Sequence, residues 1–562
     1  MPVRPLTISS IIFPEHFRFV NNHQKWTSTL IWSTLVVTFS TSFVMGVNIG
    51  GPNVYNAFIV PWTRGYPFPC QKDAGVAQWV AGVWWNCNYD NVSHMNKTGY
   101  YYLPEVPTNR EPIQRLIDAM HTICFVLGGT IGGFTGQYWY IFLTRRNAIF
   151  VSMIFQVVAS ILMIITLEIY YGYTDGDPDL LTIVRTLRNK NVAVALLYIS
   201  RLLSGWSAGM CCVVSTIYLT DISPRPMRGK IVTFHQLFIV IGLLVGQIVG
   251  LPWLLGRHKR VLILIIFLNE ILPLNVFSTW NWGMSWIGLF SLAGCVLIWT
   301  LPESPRWLVQ DHQRDAAARS LRTLRQNNLI EAELDEIERQ EATAAMQDKS
   351  IYCMCFSPRF RWPLLTSITL NAVQQFSGIN SVFFYSSTTF SEIGFVEDKV
   401  YWGILSTGII NLIATIGALK LVESFGRRSL ILYPLVMIIF VMILLCVFIE
   451  MHKQNYRLAI VALSLTLVFI VLFAIGLGPI PYIYPNEVFT IDMRPAALSI
   501  SMFASWLCNT LITLFFQTLR TVFQGFVFLF FCVFCSLALW LLWFKMPETK
   551  RKTLTEIEAF WQ

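Results

Sequence analysis

Apolar residues along the chain fall in blocks of near-uniform length, separated by short polar stretches. A helix crossing a bilayer needs roughly 20 mainly apolar residues. Blocks of that size predict spans at 29–49, 117–140, 148–170, 192–220, 231–253 and 283–301, then at 362–388, 400–421, 429–450, 457–484, 495–517 and 522–545. The order is six blocks, a gap and six blocks. The gap, 302–361, is charged, and Ala316 to Gln347 has the spacing of amphipathic helices, so it predicts a helical linker. One further apolar stretch, Val261 to Phe277, follows Arg257-His258-Lys259-Arg260. As a thirteenth span it would turn every later loop to the opposite side and set Arg427, Arg428 and the basic C-terminus outside, against the positive-inside rule. Segment 257–279 is therefore read as an inserted extracellular or interfacial piece.

Composition agrees with the pattern. Of 562 residues, 54% are hydrophobic and 13% charged, about half the charge of an average soluble domain, at roughly 25%. A soluble enzyme, a nucleic-acid binder and a disordered scaffold are excluded as overall readings. The net charge of +9 forms no single patch. It is split among Arg145-Arg146, Arg225 to Lys230, Arg427-Arg428 and Lys550 to Lys552, between apolar blocks, as expected of cytoplasmic loops. Eight of the 12 cysteines lie inside apolar blocks, Cys532 and Cys535 included, where the side chain packs as a small hydrophobe.

Residues 1–25 carry no charged-then-apolar leader pattern, so the first span is expected to serve as an uncleaved anchor. The two N-glycosylation sequons, at Asn91 and Asn96, fall together between the first two spans and set loop 50–116 outside. Cys70 and Cys87 share that loop and are candidates for a disulfide. The expected organisation is a cytoplasmic N-terminus (1–28), a six-helix half (29–301), a cytoplasmic linker (302–361), a second six-helix half (362–545) and a cytoplasmic C-terminus (546–562), in a plasma-membrane protein.

The halves echo one another. Arg145-Arg146 follows the second span and Arg427-Arg428 the eighth; Asp221 and Arg228 follow the fourth, and Glu487 and Arg494 the tenth, with the same spacing of seven; Pro302-Glu303-Ser304 follows the sixth and Pro547-Glu548-Thr549 the twelfth. These pairs indicate a tandem duplication of a six-span unit. Six is even, so both copies share one orientation, the parallel-repeat arrangement of transporters that rock two halves about a central site. Carboxylate and arginines at one membrane face can form a latch of charge-assisted bonds. The plainer reading makes them ordinary interfacial anchors, and the duplication argues against it.

Gln374-Gln375-Phe-Ser-Gly378-Ile-Asn380, Pro302-Glu-Ser-Pro-Arg306-Trp-Leu308, Phe425-Gly-Arg-Arg428, Gly478-Pro-Ile-Pro481 and Pro547-Glu-Thr-Lys550 resemble the sugar porters of the major facilitator superfamily, and among them the animal facilitative glucose transporters. The resemblance runs from about Thr29 to Glu556. It implies an all-α membrane protein with the major facilitator fold, twelve helices in two halves, and a hexose bound midway between them. It also implies that Gln374, Gln375, Asn380, Asn411, Trp506 and Asn509 contact the sugar from the second half and Gln236 from the first, with Phe383, Phe384 and Tyr385 as an outer gate. Arg201, Asp221, Arg228, Arg427, Arg428, Glu487 and Arg494 form the gating and latch set. The chemistry suits the reading independently: amides donate and accept as sugar hydroxyls do, and cost less at membrane depth than charges. No cofactor, metal or nucleic acid is implied; the partners are a small sugar and the bilayer.

The chain departs from the family pattern in places. Tyr482 stands where a tryptophan is usual, Ala474 where a glutamate is, Asn371-Ala372-Val373 where Gln-Leu-Ser goes with glucose preference, and the first-half loop motif is reduced to Arg145-Arg146, implying a weaker latch there. Proton-driven sugar porters carry an acid on the first span near an arginine on the fourth. Arg201 is present, but its expected partner is Asn48, which does not titrate. The expectation is therefore facilitative hexose transport, glucose first, with a proton-coupled symporter and a non-transporting sugar sensor as rivals. His235 has no acid in its own span and His121 only Asp118, three residues back, so neither shows the titratable constellation that a membrane enzyme needs.

Overall fold

The computed structural model describes residues 26–52, 59, 78–80, 83–85, 111–171, 180–224, 227–251, 284–327, 330–345, 351–392, 398–451, 457–490, 493–523, 526–550 and 552–561. The sequons at Asn91 and Asn96, Cys70 and Cys87, and segment 257–279 lie outside them. Among the described residues, ten helices are long and apolar enough to cross a membrane. The first six-span set begins with α1 (Ser28–Pro52), whose turns over Thr38–Phe43 are π-helical. Two short strands, β1 (Gln78–Val80) and β2 (Val83–Trp85), pair antiparallel after it. Then come α2 (Glu111–Phe142), α3 (Arg145–Tyr171), α4 (Leu180–Ile222), α5 (Arg228–Val249) and the shorter α6 (Ile287–Leu297), which ends in a 3-10 turn at Thr300.

Four linker helices follow: α7 (Pro305–Gln310), α8 (Arg314–Arg325), α9 (Glu331–Ala345) and α10 (Ile351–Phe356). Ser304 caps α7, accepting from the Trp307 backbone N–H, with Pro305 at the first helical position. The second set is α11 (Arg361–Phe376) and α12 (Ile379–Glu392), two pieces of one span, then α13 (Asp398–Ser424), α14 (Arg427–Met451), α15 (Arg457–Ile475) and α16 (Ile480–Val488), again two pieces, then α17 (Arg494–Phe523) and α18 (Val527–Lys545); α19 (Leu554–Glu558) closes the described chain. Among the described residues helices thus occupy each of the twelve expected spans, ten of them long and apolar enough to cross a membrane. Residues 522 and 523, expected to open the last span, are the end of α17.

Packing repeats as the sequence does. Within the first set α2 and α3 lie against α4, and within the second α13 and α14 lie against α15. Across the sets α2 meets α17, and α5 meets α13. Second span on eleventh, fifth on eighth: one contact becomes the other when the six-span unit is repeated.

In hydrocarbon no hydrophobic force drives helices together, so close backbone approach through small residues takes over. Gly128 and Gly132 on α2 face Gly205 and Gly209 on α4 this tightly. A β-carbon at Gly205 would stand 1.9 Å from the Phe125 carbonyl oxygen, and one at Gly209 2.2 Å from that of Gly129. Gly205→Val is therefore expected to lower the melting temperature of the detergent-solubilised protein by at least several degrees, or to abolish its monodisperse recovery. Gly417→Ala, where a β-carbon meets nothing within 4 Å, is expected to match or slightly exceed wild type, since alanine gains up to about 1 kcal/mol over glycine in a helix. Differential scanning fluorimetry distinguishes the two.

Candidate functional site

The site is built on two helix breaks. At the first, α11 ends at Phe376 and α12 begins at Ile379, with Gly378 between them at φ +81°, in the left-handed region only glycine enters freely. At the second, residues 476–479 turn between α15 and α16. Pro481 has no N–H for the Leu477 carbonyl, and the Tyr482 N–H goes to the Pro479 carbonyl instead of that of Gly478. Two carbonyls are thereby freed inside the membrane, where an unmet polar group is expensive. Gln374 meets both: its Nε2 donates to the carbonyls of Leu477 at 2.8 Å and Gly478 at 3.3 Å.

From Gln374 the amides continue as a chain. Gln375 Nε2 donates to Gln374 Oε1 at 3.1 Å and to Ser505 Oγ at 2.9 Å, and Asn380 Nδ2 donates to Gln375 Oε1 at 2.6 Å. Gln236 of α5 reaches the same break from the first half, its Nε2 3.4 Å from where a β-carbon of Gly478 would stand. Trp506, next to Ser505, is buried against Gly129 and meets the Phe125 ring edge-on at 5.8 Å. Asn509 lies on the same helix, buried, accepting from Thr513 Oγ1 at 3.4 Å. Asn411 is buried on α13 and its Oδ1 has no partner among the described residues. Phe383 and Phe384 are buried on α12, while the side chain of Tyr385 is outside the described set.

At one end of the bundle the charged motifs form two copies of one network. In the second half, Arg427 grips Glu487 through Nη2 at 2.8 Å and Nε at 3.2 Å, and its Nη1 donates to the carbonyl of Val422, five residues back. Thr549 Oγ1 donates to Glu487 Oε2 at 2.5 Å, and Glu548 accepts from the backbone N–H groups of Arg427 and Arg428 at the start of α14. In the first half, Arg145 Nη1 likewise donates to the carbonyl five residues back, at Tyr140, while Ser304 Oγ donates to Asp221 at 2.8 Å. Glu303 accepts from the backbone N–H groups of Arg146 and Ser304. A carboxylate at a helix N-terminus satisfies orphan donors and opposes the helix dipole. Glu303 and Glu548 do this twice over. The first-half ion pair is the looser, with Arg145 at 3.9 Å and Arg306 at 4.0 Å from Asp221.

None of the ion pairs described here joins one six-span set to the other. What crosses is the fifth helix of the opposite half. A β-carbon at Gly229, beside Arg228 at the start of α5, would stand 2.9 Å from Arg427 Nη2. Arg494, which opens α17, shares a small cavity with Tyr140, Asp221, Arg306 and Glu341. Arg428 donates to the Trp543 carbonyl at 2.6 Å.

Arg201 stands apart from the latch set in which the sequence placed it. It lies twenty residues before Asp221 on α4, about 30 Å along a helix. It is buried, and its Nη1 donates to Asn48 Oδ1 at 2.9 Å, its Nη2 to the Asn48 carbonyl and its Nε to the His121 carbonyl, with Phe125 under the guanidinium. Sequence reasoning missed Ser505, the two freed carbonyls and the capping role of the repeated glutamates. The last was within reach, because Glu303 and Glu548 occupy matched places in the duplication.

Residues 74–561 match the family model described as sugar (and other) transporter. The chain is 30% identical over 436 residues to the solute carrier family 2, facilitated glucose transporter member 1 of Gallus gallus, covering 77% of this chain and 80% of that protein. It is 28% identical over 552 residues to member 2 of Mus musculus, covering 96% and 95%. Among solved structures, the major facilitator superfamily proton:xylose symporter XylE bound to 6-bromo-6-deoxy-D-glucose superposes with a TM-score of 0.72 at 21% identity, over 95% of this chain and 99% of that one. That likeness is one of fold.

The latch geometry makes a prediction. Arg427→Ala leaves Glu487, 20% exposed, without its two-pronged partner and is expected to cost about 2 kcal/mol of stability. Arg428→Ala, losing a bond to one exposed carbonyl, is expected to cost less than half of that. Thermal melts in detergent check the order.

Proposed function

Since the chain belongs to the sugar transporter family, we propose that it carries a hexose, glucose first, down its own gradient across the plasma membrane. It is a multi-pass membrane transporter, and sugar transport by a major facilitator fold is its general activity. The observation that carries the finer reading is the neutral amide chain Gln374–Gln375–Asn380, with Gln236 opposite, between the two six-span sets. The facilitated glucose transporters among the relatives favour glucose.

Uniport, in place of proton coupling, is supported by the surroundings of Arg201. Its partners described above are an amide, backbone carbonyls and a ring, and among the described residues no carboxylate is paired with it. Moving a proton with the sugar takes a titratable group whose charge changes at membrane depth, and Asn48 offers none.

We take the two halves, 29–301 and 362–545, to rock about the amide site, with the latch face, linker and both termini cytoplasmic. One face gathers these parts: Thr27 Oγ1 donates to the Leu324 carbonyl of the linker, Arg359 pairs with Glu558, Arg306 of the linker reaches Asp221, and Arg494 shares a cavity with Arg306 and Glu341. The basic clusters on that face support its being the cytoplasmic one.

Purified protein in sealed liposomes tests the proposal. Labelled glucose is expected to enter saturably and stop at equal concentrations inside and out, unchanged by an imposed pH gradient. Accumulation that follows the pH gradient would mean a symporter; folded protein without flux of glucose or fructose would contradict the carrier reading. Gln375→Ala is expected to raise the half-saturation concentration about tenfold, about 1.4 kcal/mol of binding.

A further inference from the structure

We propose that His235 is a further substrate-binding residue, held by Ser42, and that its free ring nitrogen meets one hydroxyl of the sugar. The inference rests on the sugar-carrier reading and adds to it a contact from the first half.

His235 precedes Gln236 on α5, at the level where α15 breaks from α16, and its ring is fully buried. On one side Nδ1 shares a hydrogen bond of 2.7 Å with Ser42 Oγ. Ser42 sits in the π-helical turns of α1, where the wider winding shifts side chains out of the ordinary helical register. On the other side the ring meets Tyr482 of α16 edge-on, at 5.1 Å between centroids and 69° between planes. Three elements from both halves therefore fix the orientation of the imidazole. Yet Nε2 has no partner among the described residues. A buried nitrogen left unmatched is costly, and this one belongs to the residue before Gln236 on α5, whose ring packs against Tyr482 of α16, itself four residues after Gly478.

Imidazole Nε2 can donate or accept according to which nitrogen carries the proton, and the Ser42 hydroxyl accommodates either form. A sugar hydroxyl has the same versatility, so it satisfies Nε2 in both. Ser42 acts as the positioning residue, since without it the ring can turn and re-aim Nε2.

The test is transport in liposomes by the full-length protein, with labelled D-glucose competed by its monodeoxy analogues. In wild type, removing the hydroxyl that meets Nε2 weakens competition. His235→Phe is expected to raise the half-saturation concentration for glucose about tenfold and to erase the penalty for that one analogue, leaving the others unchanged. Ser42→Ala is expected to lose part of the same discrimination at the same hydroxyl. His235→Gln, which keeps a donor and acceptor of similar reach, is expected to restore most of it, and serves as the informative variant should His235→Phe not fold. Unchanged glucose affinity in a variant with the wild-type melting temperature overturns the proposal, as does an equal loss against every analogue. Absence of glucose flux in wild type overturns the carrier reading, and this inference with it, whereas normal wild-type flux with an indifferent His235 overturns this inference alone.

Discussion

The Gln374 amide is the bond on which the centre of this molecule depends. Breaking a membrane helix frees backbone carbonyls in a medium without water to meet them. Glycine and proline make the break between α15 and α16, and the side chain of Gln374, itself beside the Gly378 break, takes up the two carbonyls it exposes. The remaining amides are linked to that one: Gln375 leans on Gln374 and Asn380 on Gln375. On the proposed reading, the site that offers donors and acceptors to sugar hydroxyls is assembled from the groups that keep its own interrupted helices satisfied. Both roles need neutral, two-way hydrogen bonding, which explains why amides stand here and not charges.

At the latch face the same economy appears with charge. Each repeat ties its second, fourth and sixth spans into one knot: an arginine, a carboxylate at the end of the fourth span, and a Pro-Glu-Ser or Pro-Glu-Thr turn whose glutamate caps the third helix of its half. Because the knots are internal to each half, the halves can separate without breaking them. What separation breaks is the approach of α5 to Arg427 and Glu487, and of Arg494 to the cavity beside Asp221. Positive helix N-termini facing carboxylates of the opposite half make a favourable contact.

Much of this was legible in the residues. Span number follows from block length, since a bilayer imposes it. The duplication follows from Asp221–Arg228 against Glu487–Arg494, since charged residues at span ends are few and their spacing is kept. The amide set follows from chemistry and resemblance together. Less legible was the division of labour inside each motif. Spacing of seven suggests that an acid and its following arginine act together, but Asp221 and Glu487 face arginines of neighbouring helices, and Arg494 points across the seam. The resemblance put Arg201 in the gating and latch set, whereas distance along α4 separates it from Asp221. Proline and glycine at 478–481 mark a break in the sequence, but which side chain takes up the freed carbonyls, and that Nε2 of His235 is left without a partner among the described residues, are properties of the folded chain.

The central claim is that one hydrogen-bonded cluster both closes the broken helices and receives the sugar. Hydrogen exchange, followed by mass spectrometry on the purified carrier with and without saturating glucose, tests it most directly. Peptides covering 374–382 and 476–484 are expected to slow together when sugar is added, because a ligand that binds the closed cluster stabilises both breaks at once. Peptides within α14 serve as the reference and are expected to stay unchanged. Protection that appears in only one of the two breaks, or in neither while glucose is demonstrably bound, would contradict the account.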